Sequence, residues 1–231
     1  MRKARLLLAD DHAIFLEGLT RLLEPEFEVV GRAEDGRAML KMTARLKPDM
    51  IVADISMPLL SGIEAVRQLR KKDSRTKVII LSMHSDVELA SEAIRLGASG
   101  YVLKHSAAES LSKAIREVLK GGTYVSPRIS VDVLSNVQQT FRHSDRPAVV
   151  LTQREREVLQ LVSEGRTIRG IANILDIAGR TVVFHKSNLM DKLGIRTTAE
   201  LTRYAFQSGL MAAEEPVFNH TTAPARRAMH A

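Results

Sequence analysis

The chain has 231 residues and a mass of 25.6 kDa, a length that suits one large domain or two of ordinary size. It contains no cysteine, which excludes disulfides, thiolate metal sites and a cysteine nucleophile. No apolar run exceeds four residues, so we expect neither a membrane span nor a signal peptide, and a cytoplasmic location. The formal net charge of +7 permits a nucleic-acid partner without requiring one.

The first part of the chain, residues 1–121, alternates short apolar runs with amphipathic segments. The five apolar runs each have the length of a strand and occupy residues 6–9, 27–30, 50–53, 78–81 and 100–103. In the segments between them apolar residues recur at helical spacing, as Leu19, Leu22 and Leu23 do. This alternation predicts a five-stranded parallel sheet with helices on both faces, that is, a doubly wound α/β domain.

Residues 122–150 are predicted to link this domain to a second one. Ser126 followed by Pro127 is typical of a helix start, so we expect a short helix over 127–140. The polar remainder of the segment has the composition of a linker. At the end of the chain, residues 211–231 lack an apolar period and are predicted to form a disordered tail.

Residues 151–210 have a purely helical pattern and are predicted to form a small all-α domain of four helices. Glycines separate the helical segments, which are each roughly ten residues long. Thr152 with Glu155, and Thr197 with Glu200, have the spacing of capping boxes, which mark two of the helix starts.

Carboxylates follow two of the apolar runs directly. Asp10 and Asp11 come after the first run, and Asp54 comes after the third. Because the carboxyl ends of parallel strands meet at one edge of a sheet, these three side chains should converge. They would repel one another unless a cation joined them, and oxygen ligands in an open site favour Mg²⁺. The sequence therefore predicts a magnesium site.

A hydroxyl and an ammonium group follow two further strands at the same edge. Ser82 ends the fourth apolar run and Lys104 follows the fifth. Together with magnesium, these groups would stabilise a phosphoryl group transferred to Asp54, which would become an acyl phosphate. The same groups also suit a phosphohydrolase that turns over small phosphate esters, so the residues alone leave an enzyme as the alternative.

Two of the predicted helices, 167–176 and 180–193, are joined by a short turn, which is the layout of a helix-turn-helix motif. In the second helix Val182, Leu189 and Leu193 fall on one face, which should pack inward. The opposite face, which would enter the major groove, carries Arg180, Val183, Phe184 and Ser187. The positions beside that face, which would reach DNA phosphates, carry Thr181, His185, Lys186 and Lys192. The alternative is a helical bundle whose output is contact with a protein.

Four motifs at the strand ends of the first domain carry a family resemblance. They are Leu7-Leu8-Ala9-Asp10-Asp11-His12, Asp54-Ile55-Ser56-Met57-Pro58 with Gly62 beyond it, Leu81-Ser82, and Tyr101-Val102-Leu103-Lys104. In this order and spacing they resemble the receiver domain of bacterial two-component response regulators over residues 4–121. The resemblance implies a flavodoxin-like fold.

The same resemblance implies a role for each residue of the cluster. Asp54 would accept the phosphoryl group. Asp11, Asp54 and the carbonyl of Ser56 would bind magnesium directly, and Asp10 would bind it through water. Lys104 would pair with the phosphoryl oxygens. The switch pair that responds to phosphorylation would be Ser82 and Tyr101, with Tyr101 turning inward.

The second domain resembles the LuxR-type DNA-binding domain. The matching residues are 151–159, Gly165, Ile171-Ala172, Thr181-Val182 with His185, and Leu193-Gly194. The whole chain thus resembles the NarL/FixJ subfamily of response regulators, with 168–187 as the DNA-binding motif and 198–208 as a dimerisation surface. The implied partners are a sensor histidine kinase, double-stranded DNA, a second copy of the chain on activation, and RNA polymerase. The protein would not be an enzyme acting on external substrates. It would exchange between a closed form, with the DNA helix masked, and an open dimer.

Two positions depart from the usual DNA-binding pattern. Gly170 lies inside the first helix of the motif, where glycine costs about 1 kcal/mol relative to alanine. The turn carries Ala178-Gly179, which caps the next helix only weakly. The groove face also has few hydrogen-bonding groups, namely those of Arg180 and Ser187. We expect these features to affect affinity and sequence preference rather than the class of function.

Overall fold

The computed structural model of the protein describes residues 2–72, 75–83, 85–142 and 151–207, without the side chains of 138–142 and 207. The predicted tail at 211–231 and the polar end of the predicted linker lie outside the described residues. Within the described ranges, no helix has the length and apolar character needed to cross a bilayer.

The first domain is built around one parallel sheet. Its strands are β1 (Arg5–Ala9), β2 (Glu28–Ala33), β3 (Met50–Asp54), β4 (Lys77–Ser82), β5 (Gly100–Leu103) and β6 (Tyr124–Val125). Its helices are α1 (Ala13–Leu23), α2 (Gly36–Leu46), α3 (Gly62–Lys72), α4 (Val87–Arg95) and α5 (Ala107–Leu119), with a short 3-10 helix at Lys104–Ser106. The strand order is β2-β1-β3-β4-β5-β6. Since the order reverses at β1, the ends of β1 and β3 lie side by side.

The expected doubly wound α/β fold is confirmed, but the sheet has six strands in the described part of the chain, not five. Gly121, at a φ of +96°, turns the chain after α5 and allows Tyr124 and Val125 to pair with Gly100 and Tyr101. A two-residue strand is too short to leave a periodic pattern, so the sequence held no signal for β6.

Alternating strand residues feed two apolar layers, one on each face of the sheet. Leu7 and Ile51 point into the layer that α2, α3 and α4 cover, whereas Leu8 and Val52 point into the layer that α1 and α5 cover. These four side chains are all at most 1% exposed. This alternation is what leaves the carboxyl edge of the sheet free to carry polar groups.

Five helices follow the sheet in the residues that the structure describes. They are α6 (Pro127–Arg142), α7 (Gln153–Ser163), α8 (Ile168–Leu175), α9 (Gly179–Leu193) and α10 (Thr198–Gln207). Helix α6 begins at the proline that predicts a helix start, and its Ile129 and Val133 pack into the core layer beside α4. The other four helices share a separate core centred on Val158, Ile171 and Leu189. The second domain is therefore all-α, as expected.

Both predicted capping boxes form. The hydroxyl of Thr152 accepts from the Glu155 N–H (3.2 Å), and the Glu155 carboxylate accepts from the Thr152 N–H (2.7 Å). Thr197 and Glu200 make the same reciprocal pair at 3.2 and 3.0 Å. Helix α9 lacks such a cap, because Ala178 precedes it. Each box satisfies two backbone N–H groups that the helix itself leaves unbonded.

The two domains touch through α7. Arg156 donates to the carboxylate of Glu64 on α3 (2.6 Å), and Gln68 on α3 donates to Glu157 (2.9 Å). Glu64 is 1% exposed, so this contact is closed to solvent. On the first domain, the residues that make these two bonds lie on α3.

Candidate functional site

The acidic residues that follow β1 and β3 form one cluster at the carboxyl edge of the sheet. Asp10, Asp11, His12 and Asp54 each offer a ligand atom, and these atoms all lie within 4.8 Å of one another. Asp10 and Asp54 are buried, at 0% and 3% exposure, whereas Asp11 is exposed. The three carboxylates therefore converge at this edge, as the sequence predicts.

Lys104 closes the cluster from the end of β5. Its Nζ lies 2.7 Å from Oδ2 of Asp10 and 3.0 Å from Oδ1 of Asp54. Lys104 is the first residue of the short 3-10 helix, and its ammonium also lies 4.9 Å from the ring centre of Phe15. A buried ammonium between two carboxylates offsets part of their mutual repulsion.

The electrostatics of the cluster leave negative charge uncompensated. Burial raises the pKa of Asp54; Lys104 opposes this, and the neighbouring Asp10 adds to it. Burial alone would lower the pKa of Lys104, but the charges of Asp54 and Asp10 outweigh it, so the pKa of Lys104 is raised. Three carboxylates around one ammonium are a donor set that fits a hard divalent cation such as Mg²⁺. The donor chemistry therefore fits the predicted ion.

His12 is a member of the cluster that sequence reasoning left out. Its Nδ1 lies 3.1 Å from Oδ1 of Asp10 and 3.0 Å from Oδ1 of Asp11. His12 is also the residue that precedes α1. The available signal was its position directly after the two aspartates.

The predicted switch pair is already in contact. Tyr101 is 0% exposed, and its hydroxyl shares a hydrogen bond with the side chain of Ser82, which is also buried. Burial raises the pKa of Tyr101 to about 12. The inward position expected of Tyr101 after phosphorylation is thus the one that it occupies in this structure. The backbone behind it is bonded to the start of α6, since the Ser126 N–H donates to the Tyr101 carbonyl (2.9 Å).

The loop after Asp54 is tightly fitted to the strand end. Ser56, the proposed carbonyl ligand, is partly exposed in this loop. The loop closes with the Gly62 N–H donating to the Ile55 carbonyl (2.9 Å). A Cβ at Gly62 would lie 2.2 Å from the Asp54 carbonyl oxygen, so only glycine allows α3 to begin this close to Asp54.

The second helix of the predicted DNA-binding motif is α9, and its faces divide as the helical wheel indicates. Val182 and Leu189 are fully buried, and Leu193 packs against the same core. The four residues of the predicted groove face are all exposed, namely Arg180, Val183, Phe184 and Ser187. Val183 and Phe184 are 53% and 59% exposed, which leaves an apolar patch between two polar groups.

The residues beside that face have different surroundings. Thr181 and His185 are partly exposed, and the ring of His185 meets Phe184 edge to face at 5.7 Å. Lys186 donates to the hydroxyl of Thr198 (3.0 Å). Lys192 is paired with the buried Glu155 of the capping box (2.8 Å), so its ammonium stabilises the domain itself.

In this structure the helix predicted to bind DNA is not masked. The first domain docks on α7, and Arg37 donates to the carbonyl of Ile174 at the end of α8 (3.3 Å), while the predicted groove face of α9 stays exposed. The reason is that the charged and amide side chains that complement the receiver lie on α7. Sequence reasoning had no signal for this contact, because it joins residues about 90 positions apart.

Comparison with known proteins identifies the family. Residues 6–116 match the response regulator receiver domain, and residues 149–205 match the bacterial regulatory proteins of the luxR family. The transcriptional regulatory protein DegU of Brevibacillus brevis is 33% identical over 223 residues, which is 90% of this chain and 94% of DegU. The chain is a two-component response regulator of the NarL/FixJ subfamily.

Other relatives of this response regulator agree. The transcriptional regulatory protein MctR of Rhizobium johnstonii is 38% identical over 211 residues, covering 90% of this chain and 96% of MctR. The RcsB response regulator of Salmonella typhimurium is 28% identical, with a TM-score of 0.59 over 88% of this chain and 97% of that one. An RcsB–DNA complex is 27% identical, with a TM-score of 0.56 over 91% of this chain and 100% of that one.

Proposed function

We propose that this response regulator is switched by phosphorylation of Asp54. The observation that carries the proposal is the cluster itself. Asp54 is buried at the end of β3, with Lys104 3.0 Å away and Asp10, Asp11 and His12 around it. A carboxylate in this setting is a nucleophile whose product, an acyl phosphate, would be stabilised by the adjacent ammonium. The phosphoryl group would end on the protein itself, and the donor would be a sensor histidine kinase.

The residues that would hold magnesium are Asp11, Asp54 and the carbonyl of Ser56, with Asp10 acting through water. When bound, the ion would neutralise charge on the phosphoryl oxygens during transfer. Lys104 would exchange its contacts with Asp10 and Asp54 for contacts with those oxygens, since an ammonium prefers the greater negative charge.

The effect of phosphorylation would then be transmitted across the sheet, from Asp54 on β3 to the start of the linker helix α6. Ser82 ends β4 at the edge of the sheet that carries the cluster, and its hydroxyl is bonded to Tyr101. The backbone of Tyr101 is in turn bonded to Ser126 at the start of α6. A displacement of Ser82 towards the phosphoryl group would pass along this chain of contacts to the linker helix. The result would be a population shift towards a dimer that binds DNA.

For the output, we propose that α9 enters the major groove of double-stranded DNA. Arg180, Val183, Phe184 and Ser187 would face base edges, and Thr181, His185 and Lys186 would contact phosphates. Lys192 was predicted to join them, but it would first have to leave Glu155. RcsB, a relative solved with DNA, supports this output. A bound dimer would place its two domains about one helical turn apart, beside RNA polymerase.

The phosphorylation proposal has a direct test. The protein should gain one phosphoryl mass when it is incubated with MgCl2 and a small acyl phosphate, and hydroxylamine should remove it. Asp54→Asn keeps the shape of the side chain but loses the nucleophilic oxygen, so it should not be labelled. Labelling of Asp54→Asn at the wild-type rate would refute the assignment. Steady release of phosphate from a small ester would favour a phosphohydrolase instead.

The DNA proposal is tested by selecting binding sites from a random DNA pool at several salt concentrations. Lys186→Ala should weaken binding to all sequences and lower the salt dependence by about one counterion. Phe184→Ala should instead change the preferred base at one position by about 1–3 kcal/mol, with little change in salt dependence. If the two variants exchanged these effects, the assigned rotation of α9 would be wrong. Absence of any bound DNA would favour a protein-binding output.

A further inference from the structure

The loop between β3 and α3, residues 55–61, is bonded to the second domain. The Ser61 N–H donates to Oε1 of Gln160 on α7 (2.8 Å), and Nε2 of Gln160 donates to the Met57 carbonyl (3.0 Å). The Leu59 N–H donates to a carboxylate oxygen of Glu164, the residue that follows α7 (3.0 Å). Three backbone groups at alternate positions of the receiver loop therefore find their partners on the DNA-binding domain.

The conformation of this loop needs support from outside. Leu59 has a φ of +63°, in the left-handed region that favours glycine, and its side chain packs against the core of α7 to α10. A non-glycine residue keeps such a conformation only when its surroundings hold it there. The contact with the second domain supplies that support, so separation of the domains would free the loop to rearrange.

Gln160 is suited to hold the loop at two points, the Met57 carbonyl and the Ser61 N–H. It is 2% exposed, and its Nε2 also donates to Glu164 (2.9 Å), which fixes the orientation of the amide. A side-chain amide can accept from the Ser61 N–H and donate to the Met57 carbonyl at once, whereas a carboxylate can only accept. The Met57 carbonyl lies one peptide unit after that of Ser56, the proposed magnesium ligand.

We propose that Gln160 is a positioning residue for the magnesium site: its amide, reaching from the DNA-binding domain, orders the loop that carries the Ser56 carbonyl before the ion binds. The inference rests on the proposed function. A ligand group that is ordered in advance binds more tightly, because less conformational freedom is lost on binding. By linkage, magnesium favours the docked arrangement by the same factor.

The test compares three full-length variants titrated with MgCl2 and followed by calorimetry. Gln160→Met removes the amide at similar side-chain length, and Gln160→Glu keeps the acceptor but turns an anion towards the Met57 carbonyl. Both should bind magnesium about three- to tenfold more weakly than the wild type. The control is Gln68→Met, which removes a bond across the same interface to Glu157 without touching the loop, and it should keep the wild-type affinity.

Hydrogen exchange gives a second readout. Exchange in a peptide covering 55–63 should be faster in Gln160→Met than in Gln68→Met, and magnesium should slow it in the wild type. Should Gln160→Met not fold, Glu164→Met removes the bond to Leu59 at a partly exposed position and should weaken magnesium binding in the same direction. A wild-type magnesium affinity in both Gln160 variants, or an equal loss in Gln68→Met, overturns the proposal. A wild-type protein that binds no magnesium overturns the proposed function as well.

Discussion

Gly62 matters both for the packing of α3 and for the chemistry of the site, because its backbone lies against that of the proposed phosphoacceptor Asp54. It begins α3 directly behind Asp54. A Cβ at this position would lie 2.2 Å from the Asp54 carbonyl oxygen and 3.1 Å from Cα of Ile55. The first distance is shorter than an ordinary non-bonded contact by roughly 1.3 Å or more. Because both atoms belong to the backbone, Gly62→Ala must move the chain that carries the phosphoacceptor.

The size of the effect follows from two opposing contributions. Backbone shifts forced by an extra methyl cost roughly 1–3 kcal/mol, and we expect the upper part of that range because no flexible side chain can give way. Alanine recovers up to about 1 kcal/mol of helix propensity. Gly62→Ala should therefore lower the free energy of unfolding by about 2 kcal/mol. The matched control is Gly18→Ala inside α1, where nothing lies within 4 Å, and it should raise that free energy by about 0.5–1 kcal/mol.

The assay is urea unfolding followed by circular dichroism, together with phosphoryl uptake from an acyl phosphate measured by mass. The two variants should differ by about 3 kcal/mol in stability, and only Gly62→Ala should lose phosphorylation rate. Equal stability of the two variants, with wild-type labelling in both, would refute the argument that α3 must begin against the Asp54 carbonyl.

Three further changes test the second domain and its docking. Thr152→Ala removes the cap of α7 and should lower the free energy of unfolding by about 0.5–2 kcal/mol; an unchanged urea midpoint would contradict the cap. Burial raises the pKa of Glu155, but Lys192 and the Thr152 N–H outweigh it, so the pKa is lowered. The resulting stabilisation is present at neutral pH and is lost as the pH falls through the folded-state pKa, below the ordinary 4.5. Glu155→Gln should therefore flatten the acid side of the stability profile, and equal acid sensitivity would count against the pair. Arg156→Met leaves the buried Glu64 without its partner across the interface, although Arg67 still pairs with it, and should weaken docking by about 1–3 kcal/mol. The measurement is the radius of gyration in small-angle scattering, which should increase; an unchanged radius would argue against this contact.

The sequence by itself determined the parts of the protein that depend on local pattern and on one rule of topology. The carboxyl ends of parallel strands share an edge, so the placement of Asp10, Asp54 and Lys104 directly after apolar runs was enough to predict their convergence. Helical spacing was enough to orient α9, since buried and exposed residues separate at about 100° per residue. The capping boxes likewise involve residues only three positions apart, so their geometry follows from the spacing.

Only the tertiary structure decided the features that join distant segments. Strand β6 is two residues long; Tyr124 and Val125 both suit a strand, but a pair of residues forms one only because β5 offers it an edge. The bonds of Gln160 and the left-handed conformation of Leu59 depend on how α7 docks on the receiver. Judged by sequence alone, other faces of the four short helices could equally have formed the docking surface. The pairing of Lys192 with Glu155 also joins distant positions, 37 residues apart within the second domain, and it occupies a lysine that was predicted to contact phosphate. Long-range contacts depend on the complementarity of whole surfaces, and a local sequence pattern carries no information about that complementarity.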